Sequence, residues 1–150
     1  MQPHPEGGWF RELHRGAHTV THQDGRARNT GTLIYFLLGS AAASRWHVVA
    51  SDEYWTFVDG APLELHEALV SYATSHEVTT LGRPSEGYVG AHTIPAGIWQ
   101  AARTTGDWTL VSCAVAPGFD FADFRLLESG HPETDALAKL PHSELFLPSD

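Results

Sequence analysis

The chain is built from short apolar runs separated by breaks at glycine and proline. Residues 30–38 and 108–115 are dense in β-branched and aromatic side chains, which is typical of buried strands. Shorter alternating stretches at 9–14, 63–68, 78–81 and 92–100 predict further strands, and one short helix is expected at 133–140. Many strands with little helical periodicity predict an all-β jelly roll, with few or no helices, whose interior can hold a small ligand.

Residues 46–60, WHVVASDEYWTFVDG, carry the most informative pattern. The pattern predicts a hairpin of two short strands with a turn at Ala50, Ser51 and Asp52. His47 and Glu53 would then lie on facing strands and project to the same side. An imidazole and a carboxylate in one space make a metal half-site or an acid/base pair. The alternative is a histidine hydrogen-bonded in the core and a solvated glutamate.

Composition narrows the class of protein. A length of 150 residues suits one domain, so we expect a single domain over 1–150, and no apolar run approaches the roughly 20 residues of a membrane span. The excess of 18 acidic over 9 basic residues disfavours nucleic acid and anionic membranes as partners. The start, MQPHPEGG, lacks the features of a signal peptide, and the single Cys113 cannot form an internal disulfide. A cytoplasmic location is therefore predicted.

The chain resembles the cupins, whose two motifs are G-x5-H-x-H-x3/4-E-x6-G and G-x5-P-x-G-x2-H-x3-N. His47, Glu53 and Gly60 match the first motif, but Val49 and Gln100 stand where two metal-binding histidines are expected. Within the cupins it looks like a small bacterial and fungal branch of largely unassigned function, through the segments HPEGGWFRE, TLIYFLL, SRWHVVASDEYW, GAPLEL, PAGIWQAA and WTLVSCAVAPGFDFADF. The resemblance implies a cupin jelly roll, the double-stranded β-helix barrel.

The resemblance implies several chemistries, because cupins include metal-dependent oxygenases, isomerases, decarboxylases and lyases, metal-free epimerases and binding proteins. We predict an enzyme acting on a small molecule inside the barrel, with lyase, isomerase or cyclase, and oxygenase activity all open. His47 and Glu53, with Gln100 or His92, would hold a divalent Fe, Zn, Mn or Ni ion, or His47 and Glu53 would act as an acid/base pair. No organic cofactor is expected. The alternative is a metal-free epimerase-like or ligand-binding protein for a sugar-like or aromatic molecule, which Val49 and Gln100 favour.

Further candidates surround this pair. Tyr35 could act as an acid from its strand, Arg28 could hold an anionic group of the substrate, and Glu6 could line the barrel mouth. A mixture of core and cavity wall is expected from the aromatic residues Trp46, Trp55, Phe57, Trp99 and Phe119. Asp120 and Asp123 are interpreted as turn and surface residues. Exposed edge strands predict a homodimer.

Overall fold

The computed structural model of the chain describes residues 1–148, so positions 149 and 150 of the predicted domain lie outside the described residues. Most of this range forms strands. The strands are β1 Gln2–Pro3, β2 Trp9–Arg15, β3 Thr19–Thr21, β4 Ala27–Asn29, β5 Thr32–Gly39, β6 Ser44–Val49, β7 Asp52–Gly60, β8 Leu63–Leu69, β9 Ser75–Leu81, β10 Ala91–Ile94, β11 Trp99–Thr104, β12 Trp108–Ala116 and β13 Phe124–Leu126. The helical elements are α1 Thr134–Leu137, α2 Ser143–Phe146 and two 3₁₀ turns, Pro84–Glu86 and Phe121–Asp123. No helix in residues 1–148 is long and apolar enough to cross a membrane.

Two antiparallel sheets form the body of the molecule. One has the strand order β1-β2-β5-β12-β7-β10 and the other the order β13-β6-β11-β8-β9, while β3 and β4 form a small ribbon. Between β5 and β12 the chain passes repeatedly from one sheet to the other, and β8 and β9 are the only consecutive pair in that stretch joined as a hairpin. This is the jelly roll that the sequence predicts, so the predicted fold class is confirmed.

The predicted hairpin at residues 46–60 is wrong in one respect. The two strands and the turn exist, but β6 pairs with β11 and β13, whereas β7 pairs with β12 and β10. The turn at residues 50 and 51 is therefore a corner that carries the chain from one sheet to the other. As a result, His47 and Glu53 approach the interior from opposite sheets.

Apolar side chains form two separate clusters. The first lies between the sheets and includes Phe36, Leu38, Trp55, Leu65 and Val111. The second lies on the outer face of the five-stranded sheet, where Trp46, Val48, Ala68, Trp99 and Ala101 pack against Leu127, Leu137 and Phe146 of the C-terminal segment. The helix predicted at 133–140 is present only as α1, and α2 follows it. The C-terminal segment thus covers one face of the sandwich.

The segment before β2 is fixed against β6 by a glycine pair. Gly7 has φ +116°, and a Cβ atom there would lie 2.0 Å from the carbonyl oxygen of Ala43. Gly8 has φ +72° and equally little room. Only glycine permits this backbone and so close an approach. The backbone N–H of Arg45 donates to the carbonyl of Glu6 at 2.8 Å, which holds Glu6 beside the strand that carries His47.

Candidate functional site

A cavity of about 420 Å³ opens at one end of the sandwich. This volume lies in the range of small-molecule sites. Its wall combines an apolar belt with a group of ionisable side chains. The lining residues are Gln2, His4, Glu6, Phe10, Glu12, Arg15, Thr32, Ile34, Phe36, His47, Val49, Glu53, Cys113, Val115, Phe119, Asp120 and Phe121. The structure therefore brings three of the predicted site residues, His47, Glu53 and Glu6, to one cavity.

His47 is held in a single orientation. Its ring is 1% exposed, and its Nδ1 lies 2.7 Å from the carbonyl oxygen of Arg45, to which it can only donate. The neutral ring therefore carries its hydrogen on Nδ1 and presents the lone pair of Nε2. That Nε2 lies 3.2 Å from Oε2 of Glu6. Burial lowers the pKa of His47, although the charge of Glu53 opposes part of this effect.

Glu6 is buried between two imidazoles. Its Oε2 lies 3.3 Å from Nδ1 of His4 as well as near His47, and its Oε1 accepts a hydrogen bond from the Ser44 hydroxyl at 2.7 Å. Burial raises the pKa of Glu6, with His4 and the Ser44 hydrogen bond acting in the opposite direction. A raised carboxyl pKa beside a lowered imidazole pKa favours a proton held between Glu6 and Nε2 of His47.

Glu53 approaches the cavity from the opposite sheet and is fixed from behind. The Gln100 amide nitrogen donates to Oε2 of Glu53 at 2.6 Å, and the Gln100 oxygen accepts from the Trp55 indole at 2.8 Å. Because an indole N–H can only donate, Trp55 determines which end of the Gln100 amide faces Glu53. The pKa of Glu53 is raised to about 7, chiefly by burial, with His47 acting in the opposite direction and Glu6 in the same direction as burial. Burial also raises the pKa of the neighbouring Cys113 thiol, which stays protonated.

Tyr35 does not reach the cavity, which corrects its predicted role. Along β5 the alternate residues Thr32, Ile34 and Phe36 line the interior, so Tyr35 has the parity of the outer face. It pairs there with Arg11 and Ser112.

Four of the five predicted aromatic wall residues also lie elsewhere. Trp46 and Trp99 belong to the cluster outside the five-stranded sheet. Trp55 lies behind the cavity, in the cluster between the sheets. Phe57 is partly buried and packs against the same cluster. The fifth, Phe119, lines the cavity, and the rest of the aromatic wall is formed by Phe10, Phe36 and Phe121.

Arg28 is not free to anchor a substrate anion. Its Nε and Nη2 donate to the two carboxylate oxygens of Asp123 at 2.7 and 2.8 Å. Asp123 is 8% exposed, so its interpretation as a surface residue is wrong, and Arg28 lowers its pKa. Asp120, also assigned to the surface, is exposed but lines the cavity. The pair of Arg28 and Asp123 is structural, because it ties β4 to the turn before β13.

Of the four predicted metal ligands, His47 and Glu53 line the cavity, but His92 and Gln100 do not. His92 lies beside Trp55 in the sheet register, and its Nε2 contacts Glu67 of the other sheet at 2.5 Å, away from the cavity. Both ends of the Gln100 amide are engaged by Glu53 and Trp55. Among residues 1–148, no group of three His, Cys, Asp or Glu side chains is arranged to hold a metal ion. The residues present therefore do not fit the metal that the resemblance implies.

Sequence reasoning missed His4, Arg15, Phe10, Phe36 and Phe121 as residues of the cavity wall. His4 lies two residues before Glu6 in HPEGG, and its spacing to Glu6 is the signal that could have identified it. Phe119 and Phe121 alternate around Asp120, the pattern of residues that share one side of an extended segment. Phe10 and Phe36 face each other across paired strands, which local patterns cannot reveal.

Comparisons with known proteins agree with this architecture. A hypothetical protein from Leishmania major is 31% identical, with a TM-score of 0.81 and coverage of 97% of this chain and 90% of that one. A protein from Shewanella oneidensis is 26% identical, with a TM-score of 0.81 and coverage of 99% and 92%. A dTDP sugar isomerase from Desulfovibrio desulfuricans is 14% identical, with a TM-score of 0.58 and coverage of 84% and 85%, which indicates a shared fold alone.

No curated protein matches the chain significantly. The model of one protein family, described as Cupin superfamily (DUF985), matches residues 1–127. That range contains both sheets and every residue that lines the cavity. The chain therefore belongs to this family of the cupin superfamily, as its motifs predict.

Proposed function

We propose that this protein is an enzyme that transfers protons on a small molecule bound in the cavity, as in an isomerisation or an elimination. The observation that carries the proposal is the buried contact of 3.2 Å between Nε2 of His47 and Oε2 of Glu6. A second carboxylate, Glu53, has a pKa raised to about 7 in the same cavity. A general acid or base is most effective when its pKa lies near the working pH.

The two proton carriers have complementary roles in this proposal. Ionised Glu53 removes a proton from a substrate carbon, while the pair of His47 and Glu6 gives its proton to a substrate oxygen. In an isomerisation, return of the first proton to a second carbon and recovery of the other from the oxygen leaves the enzyme unchanged. Ser44 and the Arg45 carbonyl keep Glu6 and His47 in position, and Gln100 does the same for Glu53. The apolar belt excludes water from the reacting atoms.

A deuterium-transfer screen tests this function on many candidate substrates at once. A pool of small metabolites is incubated with the protein in D2O and analysed by mass spectrometry. We expect at least one compound to gain deuterium or to change in mass with the wild-type protein, and the exchange to fall by about 10²-fold or more in His47→Asn and Glu53→Gln. Asp107→Asn, a change at an exposed position outside the cavity wall, is the control. Compounds that bind but exchange in no case would contradict the proposal.

The second candidate is a protein that binds such a molecule without transforming it. The aromatic and aliphatic belt of the cavity, including Val49 where a metal ligand is expected, favours this alternative. Equilibrium dialysis of the same pool, combined with the exchange measurement, distinguishes the two candidates, because a binding protein enriches a compound and leaves its hydrogens unexchanged.

The homodimer and the cytoplasmic location stay predictions. The edge strands available to a second copy are β1 and β10 of one sheet and β13 and β9 of the other. Light scattering on the purified protein measures the oligomeric state directly.

A further inference from the structure

The outer face of the six-stranded sheet is apolar. Along β7, Glu53 lines the cavity, and Trp55 and Phe57 pack in the cluster between the sheets, so Tyr54 and Thr56 point outward. The same alternation on β2, β5, β12 and β10 directs a second set of side chains outward. We call this outward surface of the five strands the open face. Its apolar members include Trp9, Leu33, Tyr35, Leu37, Leu110 and Tyr54.

The open face is exposed, whereas the outer face of the other sheet is covered. Trp9 on β2 and Tyr54 on β7 are 48% and 42% exposed. On the five-stranded sheet, in contrast, Leu137 and Phe146 of the C-terminal segment pack over the outward side chains. A wide apolar face in contact with water is unfavourable, and packing against a second apolar surface removes that cost. The open face therefore has the character of an interface.

The centre of the open face carries no charge, although the chain has 18 acidic and 9 basic residues. The outward side chains within 33–37 on β5, 110–114 on β12 and 54–56 on β7 are all uncharged, and Arg11 lies to one side of them, on β2. Two copies with a formal charge of -9 each repel one another over most of their surfaces. At the open face they can meet without bringing carboxylates together.

The open face is also large enough for a stable dimer. Strands β2, β5, β12 and β7 are 7, 8, 9 and 9 residues long, and β10 adds 4 more. With about 4.8 Å between strands and about 3.3 Å per residue, the face measures about 600 Å² in plan. Two such faces in contact remove about 1,200 Å² from water, which reaches the range of specific protein interfaces.

We propose that the open face is a homodimer interface, in which a second copy of this chain packs its own open face against it. Sheets pack face to face in this way inside β-sandwiches, about 10 Å apart. A two-fold contact of this kind is isologous, so the uncharged apolar centre of one copy meets the same centre of the other. The contact joins faces, and the edge strands β1, β10, β13 and β9 take no part in it. The inference is independent of the proposed function.

Light scattering after size-exclusion chromatography, over a dilution series, tests the proposal with two matched variants. Tyr54→Glu introduces a carboxylate into the open face. Val78→Glu makes the same change at a 46% exposed apolar residue of β9, which pairs with His66 on the outer side of the other sheet. We expect a wild-type dimer whose dissociation constant rises about 100-fold or more in Tyr54→Glu and is unchanged in Val78→Glu. Added NaCl should tighten the wild-type dimer, because it screens the repulsion between the copies.

Hydroxyl-radical footprinting of the wild-type protein locates the contact without any substitution, so the test does not depend on how Tyr54→Glu folds. We expect oxidation of Trp9 and Tyr54 to fall as the protein concentration rises, and oxidation of the exposed Tyr72 to stay constant. A wild-type dimer that leaves Trp9 and Tyr54 unprotected, or a dimer equally stable in Tyr54→Glu, would overturn the proposal. A monomer at all concentrations would overturn it too, and protection of Tyr54 by phosphatidylcholine vesicles in that case would assign the face to a lipid surface.

Discussion

Nε2 of His47 and Oε2 of Glu6 lie 3.2 Å apart with both side chains buried, and the fixed hydrogen on Nδ1 leaves Nε2 without a proton of its own. The contact is therefore a hydrogen bond only if one more proton lies between the two groups. This proton is the one that the proposed reaction uses.

The first prediction concerns this shared proton. In Glu6→Gln the amide can donate to Nε2 but cannot become anionic, so it cannot stabilise an imidazolium. We expect the pKa of the His47 ring to fall further in this variant, measured by NMR titration of the ring. A His47 titration identical to that of the wild type would contradict the coupling. Glu12→Gln, which changes a carboxylate at the partly exposed rim of the cavity, is the matched control.

The second prediction is that the buried, ionised carboxylate of Glu53 lowers the free energy of unfolding at high pH. Its pKa is about 7 in the folded protein and 4.5 ordinarily, so the folded state binds the proton more tightly. Stability is then lost as pH rises from about 4.5 to 7, and the loss is complete above pH 7. We expect Glu53→Gln to raise the free energy of unfolding by up to about 3 kcal/mol at pH 8 and by almost nothing at pH 4. Urea unfolding at the two pH values measures this difference, and Glu86→Gln, at an exposed position, should alter neither value. A gain of equal size at both pH values would indicate that charge burial is not the cause.

The third prediction concerns the hydrogen bond from Trp55 that orients the Gln100 amide toward Glu53. Trp55→Phe removes the N–H that fixes the Gln100 amide and leaves a buried oxygen unpaired. We expect a loss of about 1–3 kcal/mol in the free energy of unfolding. The freed amide can also rotate its oxygen toward Glu53, which would raise the pKa of that carboxyl above its wild-type value. Trp108→Phe, at a half-exposed indole, is the matched control for the loss of an indole N–H. An unchanged free energy of unfolding in Trp55→Phe would show that the Gln100 amide does not depend on the Trp55 N–H.

The fourth prediction concerns His66, a buried and acid-sensitive group that does not line the cavity. His66 is 1% exposed under the C-terminal segment, where Phe146 packs on its ring and its Nδ1 lies 3.0 Å from Nε2 of His76. The pKa of His66 is lowered to about 4, chiefly by burial, with His76 and His142 acting in the same direction and Glu64 in the opposite one. The unfolded chain therefore binds this proton more tightly, and stability is lost as pH falls from about 6.5 to 4.

Replacement of His66 by phenylalanine should remove this acid sensitivity. We expect His66→Phe to gain up to about 2 kcal/mol relative to the wild type at pH 4, allowing for partial solvent screening, and to gain nothing at pH 8. His18→Phe, at an exposed histidine, should show no such pH dependence. Equal acid unfolding midpoints for the wild type and His66→Phe would contradict the assignment.

The sequence predicted the jelly roll because alternation and turn residues define strands locally. It also predicted that His47 and Glu53 project into one space; both line the cavity, but from two different sheets and not from one hairpin. The side that Tyr35 faces could not be read, because TLIYFLL is apolar at both parities and only its pairing partners distinguish inside from outside. The partner of Arg28 is Asp123, 95 positions away, and a local sequence pattern cannot predict such a pair. His92 and Gln100 failed as ligands for the same reason, since each is engaged by a residue from another part of the chain.

One face of strand β6 lines the cavity, and its other face packs against the C-terminal segment. The strand therefore links the two. His47 and Val49 line the cavity, while the intervening Trp46 and Val48 pack outward in the cluster that includes Leu137 and Phe146. A shift of a few tenths of an ångström at the outer face would move the imidazole by a comparable amount, because one backbone carries both. Residues 128–148 lie beyond the part that the family model matches, yet they bear on the alignment of His47 with Glu6. Variation in residues 128–148 is therefore a means of adjusting the geometry of His47 and Glu6 without changing any residue that lines the cavity.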